Sequence, residues 1–178
     1  MSIKQLEKKL DNGVRIVGEL SSSASSCAIG GLVNTGSRDE TPEVSGVSHF
    51  LEHMLFKGTS KRSAQEINVR LGEIGAQANA YTSQEHTIYY ASVLSSEQSS
   101  YLELLTDMLR PKLDPDEFAM EKKVILEEIA LYYDKPQSYF FHSAISGYLS
   151  AHPLGNSVLG STESVSYTHL TLPTTPYV

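Results

Sequence analysis

His49-Phe50-Leu51-Glu52-His53 constrains this chain more than any other segment, because it places three chemically capable side chains inside an otherwise apolar stretch. The run Val47 to Phe56 reads as one helix. At about 100° per residue, His49 and His53 fall about 40° apart on one of its faces. Two neutral imidazoles one turn apart can share a single divalent metal ion. Glu52 lies about 60° to the other side of His49, within reach of a water molecule held at such an ion. A core helix with two structural histidines would show the same spacing. The reading therefore depends on what a second element supplies.

That element starts at Asp114-Pro115-Asp116-Glu117, with Asp114 as N-cap, Pro115 at the first helical position and Glu117 at the third. The helix runs on to Tyr132, and its seam at three- and four-residue spacing reads Phe118, Glu121, Ile125, Glu128, Tyr132. Two carboxylates thus occupy places where a core-facing helix carries Leu or Val. Burying a carboxylate is costly unless it is paired or binds a metal. Glu128 is the better ligand candidate, with Glu121 one heptad earlier as its supporting partner. Glu127 shares a face with Lys123 and Asp134 and reads as solvated. On pattern alone, a solvated charged face remains the alternative for the whole seam.

H-x-x-E-H is the inverse of the H-E-x-x-H metallopeptidase signature. The run Gly46-Val47-Ser48-His49-Phe50-Leu51-Glu52-His53-Met54-Leu55-Phe56-Lys57-Gly58-Thr59 resembles the insulinase/pitrilysin family of zinc metallopeptidases, and its processing-peptidase branch most closely. Gly36-Ser37-Arg38-Asp39-Glu40, Asn79-Ala80-Tyr81-Thr82-Ser83 and the Glu127-Glu128 helix extend the resemblance over most of residues 1–164. It implies one zinc ion per catalytic domain, held by His49, His53 and Glu128, with Glu121 supporting the site and Glu52 as general base. It also implies that substrate lies as a strand along Asn79 and Ala80, although an ordinary strand-turn sequence would explain those two residues equally well. Family members act as two homologous halves closing over a chamber. The resemblance therefore implies a second homologous domain or subunit, and unfolded peptides or presequences as substrates of a zinc endopeptidase. A non-catalytic partner subunit or a zinc-binding scaffold of the same fold is the alternative.

The element order supports an α+β fold, with helices packed on a largely antiparallel sheet. Strands are expected at Val14 to Leu20, after the Asp11-Asn12-Gly13 turn, and at Ser26 to Asn34, Ala78 to Tyr81 and His86 to Val93. Ser63-Ala64-Gln65-Glu66 is a capping box for a helix ending near Gly72 or Gly75. Ser95 is read as the cap of the next helix, and another helical stretch follows Pro136. His86, His142 and His152 lack ligand spacing and read as surface or loop residues.

A chain of 178 residues can bury a core in one domain, and a net charge of −7 argues against nucleic acid as a partner. Cys27 is the only cysteine, which precludes an intrachain disulfide and favours a reducing compartment. No run reaches transmembrane length, so neither a membrane partner nor a signal segment is expected and the protein reads as cytoplasmic. Residues 1–164 read as an incomplete N-terminal catalytic domain. The composition then shifts abruptly: residues 165–178 carry no Asp, Glu, Lys or Arg and are rich in Thr, Pro and Leu. Their start resembles translated sequencing-adapter read-through, so this tail reads as non-native, with a divergent native tail as the alternative.

Overall fold

The computed structural model describes residues 3–150 and 152–167. Two strands, β1 (Ile3–Lys9) and β2 (Arg15–Ser21), form an antiparallel hairpin. Its turn is closed by Leu10 N–H to Val14 O at 2.8 Å and by Gly13 N–H to Leu10 O at 3.0 Å. Gly13 sits at φ +90°, a conformation glycine adopts without a side-chain penalty. β1 has no counterpart among the expected strands. Its alternation is hidden by Lys4, Glu7, Lys8 and Lys9, and the residues from Lys4 to Lys9 all lie exposed.

β3 (Ser26–Val33), β4 (Gln77–Thr82) and β5 (Thr87–Leu94) form a second sheet in the order β3-β5-β4, both pairings antiparallel. β5 is central and buries alternate residues, Thr87, Tyr89, Ala91 and Val93, as a half-buried strand should. Cys27 is half-buried on β3 and packs on the core.

The helices are α1 (Val47–Met54), α2 (Ala64–Glu73), α3 (Gln98–Met108), α4 (Pro115–Tyr133), α5 (Pro136–Tyr148) and α6 (Thr162–Tyr167). The expected capping box starts α2: Glu66 N–H donates to Ser63 Oγ, and Ser63 N–H to Glu66 Oε2. Asp114 caps α4 by accepting from Asp116 N–H at 3.0 Å. Ser95 does not cap α3. It opens a short 3-10 turn, and its N–H donates to Ser25 O, tying the end of β5 to the start of β3. Among the described residues no helix is long and apolar enough to cross a membrane.

Two apolar clusters share α1. Ile67, Leu71, Tyr89, Val93, Tyr101, Leu104 and Met108 fill the space between the three-stranded sheet, α2 and α3, and Leu55 joins them from just beyond α1. Phe50 and Met54 instead pack on Ile125 and Ile129 of α4 and Val165 of α6. The Phe50 ring stacks on Phe118 with centroids 4.3 Å apart. α1 is thus held from two sides, which fixes the rotation of its third face.

The seam of α4 differs from the expected one at its end. Glu121, Ile125 and Ile129 are buried, whereas Tyr132 is exposed and Glu128 half-exposed. The buried positions follow the four-residue spacing, so Ile129 takes the core place and Glu128 moves to the rim. α6 runs through Ser164 to Tyr167 and buries Val165 completely, so the boundary expected at Ser164 falls inside a packed helix. Residues 168–178 lie outside the described residues.

Candidate metal centre

The histidine-bearing helix begins without a side-chain cap of its own, because its N-cap is Gly46 at φ +91°. Glu40 supplies the missing acceptor, with Oε2 taking Gly46 N–H at 2.7 Å and Oε1 taking Ser48 N–H at 2.8 Å. A carboxylate at a helix N-terminus also complements the helix dipole. Burial raises the Glu40 carboxyl above its ordinary range, and the two backbone donors partly offset this. Gly46 is required by packing as well as by φ: a Cβ there would stand 2.8 Å from Leu159 O. The far end of α1 is tied down by Thr59, whose hydroxyl donates to buried Asp107 at 3.0 Å, and by Arg62, which pairs with the same carboxylate at 2.6 Å.

Between these anchors, His49 and His53 present their Nε2 atoms to each other at 3.3 Å. Glu128 Oε2 lies 3.7 Å from His49 Nε2 and 3.6 Å from His53 Nε2. Among the described residues this trio is the group whose ligand atoms converge on one point, all within 4.8 Å of one another. For metal–ligand bonds of about 2.0–2.1 Å in tetrahedral geometry, adjacent donor atoms stand about 3.3–3.4 Å apart. The triangle is close to one face of such a tetrahedron. Two imidazoles and one carboxylate are a donor set that suits zinc, so the residues fit the ion. Glu127 is exposed and points away, in agreement with the helical reading.

Protonation also suits a metal. His49 is buried, and burial, followed by the neighbouring His53, pulls its imidazole down to about 4. Its neutral form is the ligating one. Its Nδ1 has no hydrogen-bond partner among the described residues. His53 is better held: its Nδ1 is 2.8 Å from Oε1 of Glu121, so the proton sits on Nδ1 and the Nε2 lone pair faces the cluster. Glu121 is itself buried, and Lys57 Nζ stands 2.5 Å from its Oε2. Burial alone would raise this carboxyl, but Lys57 and His53 outweigh it and hold Glu121 below the usual carboxylate value.

Glu52 stands beside this group with one oxygen occupied, its Oε2 accepting the Thr82 hydroxyl at 2.6 Å. Burial pushes its carboxyl above the ordinary value and the Glu128 charge adds to the push, while Thr82 and His53 oppose it. Glu52, His53, Lys57, Glu121, Asn79 and Ala80 share the wall of a cavity of about 300 Å³. Asn79 and Ala80 lie on β4, whose outer edge is unpaired among the described residues. Ala80 N–H donates to the Asn79 side chain at 2.9 Å, a bond that an added strand would compete for. His86, His142 and His152 stand apart from the centre; His86 and His142 contact Tyr81 and Tyr133 edge-on. Glu40, Lys57 and Thr82 are the site-building residues that sequence reasoning did not name. Each lies in a run that carried the resemblance; the partners of Lys57 and Thr82 are distant in the chain, and those of Glu40 lie across the loop before α1.

The model of the family described as Insulinase (Peptidase family M16) matches residues 15–162. The chain belongs to that family. It is 46% identical over 156 residues to the uncharacterized zinc protease YmxG of Bacillus subtilis, covering 87% of this chain and 38% of that protein. It is 34% identical over 164 residues to the beta subunit of the mitochondrial-processing peptidase of Neurospora crassa, covering 92% of this chain and 34% of the subunit. Among solved structures, a protease from Helicobacter pylori superposes with a TM-score of 0.88 at 27% identity, covering 93% of this chain and 40% of that one. An M16 inactive domain from Pseudomonas fluorescens superposes with a TM-score of 0.84 at 14% identity, covering 96% of this chain and 42% of that one. The fold is therefore shared with an inactive domain, and any chemistry resides in the side chains of this M16 chain rather than in its fold. The chain spans well under half the length of each of these relatives.

Proposed function

We propose that this M16 chain forms the catalytic part of a zinc-dependent endopeptidase. The observation that carries the proposal is the convergence of His49, His53 and Glu128, with Glu52 beside them and an open strand edge alongside. His49, His53 and Glu128 would hold the zinc. When bound, the ion supplies Lewis acidity, polarising a peptide carbonyl and lowering the pKa of water toward about 7.

The chain's own residues do the rest. Glu121 orients His53, and Lys57 keeps Glu121 ionised. Glu52 accepts a proton from the attacking water as the new C–O bond forms. It then gives that proton to the amine nitrogen as the C–N bond breaks, so the carboxylate is regenerated. A peptide in extended form would add to the free edge of β4 beside Asn79 and Ala80, where backbone pairing accepts many sequences. That mode suits unfolded peptides and presequences.

A second homologous domain or subunit would close the site. The hairpin exposes Val14, Ile16, Val17 and Leu20, and α5 exposes Tyr139, Phe140, Phe141 and Tyr148, faces that further chain can cover. A reducing, cytoplasmic setting agrees with the single cysteine.

The test is Glu52→Gln in the complete protein. Zinc content should stay unchanged, and kcat on a fluorogenic peptide should fall at least about 10²-fold. Undiminished turnover would remove Glu52 from its assigned role. A wild-type protein that binds zinc without cleaving any peptide would favour the partner-subunit or scaffold alternative.

A further inference from the structure

The two oxygens of the Glu52 carboxylate are not equivalent. Oε2 accepts the Thr82 hydroxyl at 2.6 Å, within the range of a charge-assisted O–H···O bond. No other side chain bonds the carboxylate among the described residues, and the Thr82 backbone N–H adds to the hold on it. Thr82 is the last residue of β4 and pairs in register with Thr87 of β5. Thr87 is buried, and its hydroxyl donates to the carbonyl of Thr35 at 3.1 Å. The two threonine hydroxyls lie 3.5 Å apart. Each carries a single proton. The Thr35 carbonyl can only accept, so the Thr87 proton is committed there. The Thr82 proton then has a choice between Thr87 Oγ1 at 3.5 Å and a carboxylate oxygen at 2.6 Å, and the shorter, charged acceptor takes it.

From this arrangement we infer that Thr82 is a positioning residue for Glu52: it anchors Oε2 and leaves Oε1 as the oxygen that takes and returns the proton. The inference rests on the general-base reading of Glu52 given above. One proton passes from the attacking water to Oε1 and from Oε1 to the departing amine, while the Thr82 proton stays on its own oxygen. The anchor comes from the same strand as Asn79 and Ala80, so the base is held in register with the edge where the peptide would lie. Without it, the hold on Glu52 from this strand falls to the Thr82 backbone alone, and the side chain samples further staggered rotamers. A misplacement of about 1 Å at a catalytic group can cost about 10²-fold in rate.

The experiment compares wild type, Thr82→Val, Thr82→Ser and Glu52→Gln in the complete zinc-loaded protein. It reads kcat and KM on a fluorogenic peptide, zinc affinity by titration, and the Glu52 conformer by crystallography. Thr82→Val should lower kcat about 10- to 100-fold with KM and zinc affinity little changed, and the carboxylate should leave its observed position. Thr82→Ser keeps the hydroxyl and should restore most of the rate. If the valine form does not fold, Thr82→Ala is judged by the same ratio to Thr82→Ser. A wild-type kcat in the valine form, beside an inactive Glu52→Gln, would overturn the inference and leave the general-base reading intact. A serine form as slow as the valine form, or a loss confined to KM or zinc affinity, would also overturn it. An active Glu52→Gln would remove the general-base reading and this inference together.

Discussion

Replacing Glu121 by Gln isolates the residue that holds His53, a proposed ligand, without being one of the proposed ligands itself. In the wild type its two oxygens serve two donors, His53 Nδ1 at 2.8 Å and Lys57 Nζ at 2.5 Å. A glutamine of the same size has one acceptor and one NH₂ donor, so it can satisfy only one of them. If its oxygen faces His53, the amide nitrogen meets an ammonium. If it turns over, the His53 N–H meets another donor and the imidazole loses the bond that sets its tautomer. In either arrangement a charge-assisted bond becomes neutral or is lost, a difference of about 1–2 kcal/mol per bond. Because His53 is one of three proposed ligands, that loss should appear as a 10- to 100-fold weaker zinc affinity, about 1.4–2.7 kcal/mol. Competition titrations against a chromophoric chelator at fixed pH, with circular dichroism to verify folding, read the change. In the same series Glu128→Gln should weaken zinc more, and exposed Glu127→Gln should leave it unchanged. Wild-type affinity in Glu121→Gln would refute the role given to the Glu121–His53 bond. A Glu127 effect larger than that of Glu128 would refute the helix register.

Two further outcomes concern stability. In the metal-free protein, burial pulls His49 down to about 4 from an ordinary 6.5, so its stabilising contribution is complete above about pH 6.5 and is lost as pH falls toward 4. That difference corresponds to about 3 kcal/mol at most; urea midpoints at pH 7.5 and 5 should diverge for wild type and converge for His49→Gln, and an equal drop in both would discount His49 as the cause. Val165→Ala should cost about 1–2 kcal/mol because Val165 is fully buried against α4, whereas removing residues 168–178 should leave the thermal midpoint unchanged. A midpoint lowered only by the second change would show that the stabilising part of the tail lies beyond α6.

How far the site could be read in advance depended on chain separation. His49 and His53 are one helical turn apart, so their common face follows from backbone geometry alone. The preference for Glu128 over Glu127 needed only a helix axis and one neighbouring apolar position. Even there, the exchange of Tyr132 for Ile129 in the core shows that a periodic pattern leaves the end of a seam open by about one residue until a partner helix is in place. β1 escaped notice because a strand exposed from Lys4 to Lys9 has no apolar alternation to display there. Ser95 has the chemistry of a cap but spends its N–H on Ser25 in the neighbouring strand.

What the sequence by itself determined is the local part: the Asp114 and Ser63 caps, the course of α1 and α4, the types of the proposed ligands, and the family to which these runs point. Such features involve residues within about four positions of each other, where backbone geometry decides who meets whom. What only the tertiary structure decided is which groups complete the centre. Glu40 caps α1 across a loop, Lys57 neutralises Glu121 from the bend that follows α1, and Thr82 reaches Glu52 from the edge strand. Each of these pairs exists because two apolar clusters clamp α1 on two faces and leave its third face a single rotation. No spacing along the chain carries the Lys57 and Thr82 pairings, since they belong to the packing of side chains distant in sequence.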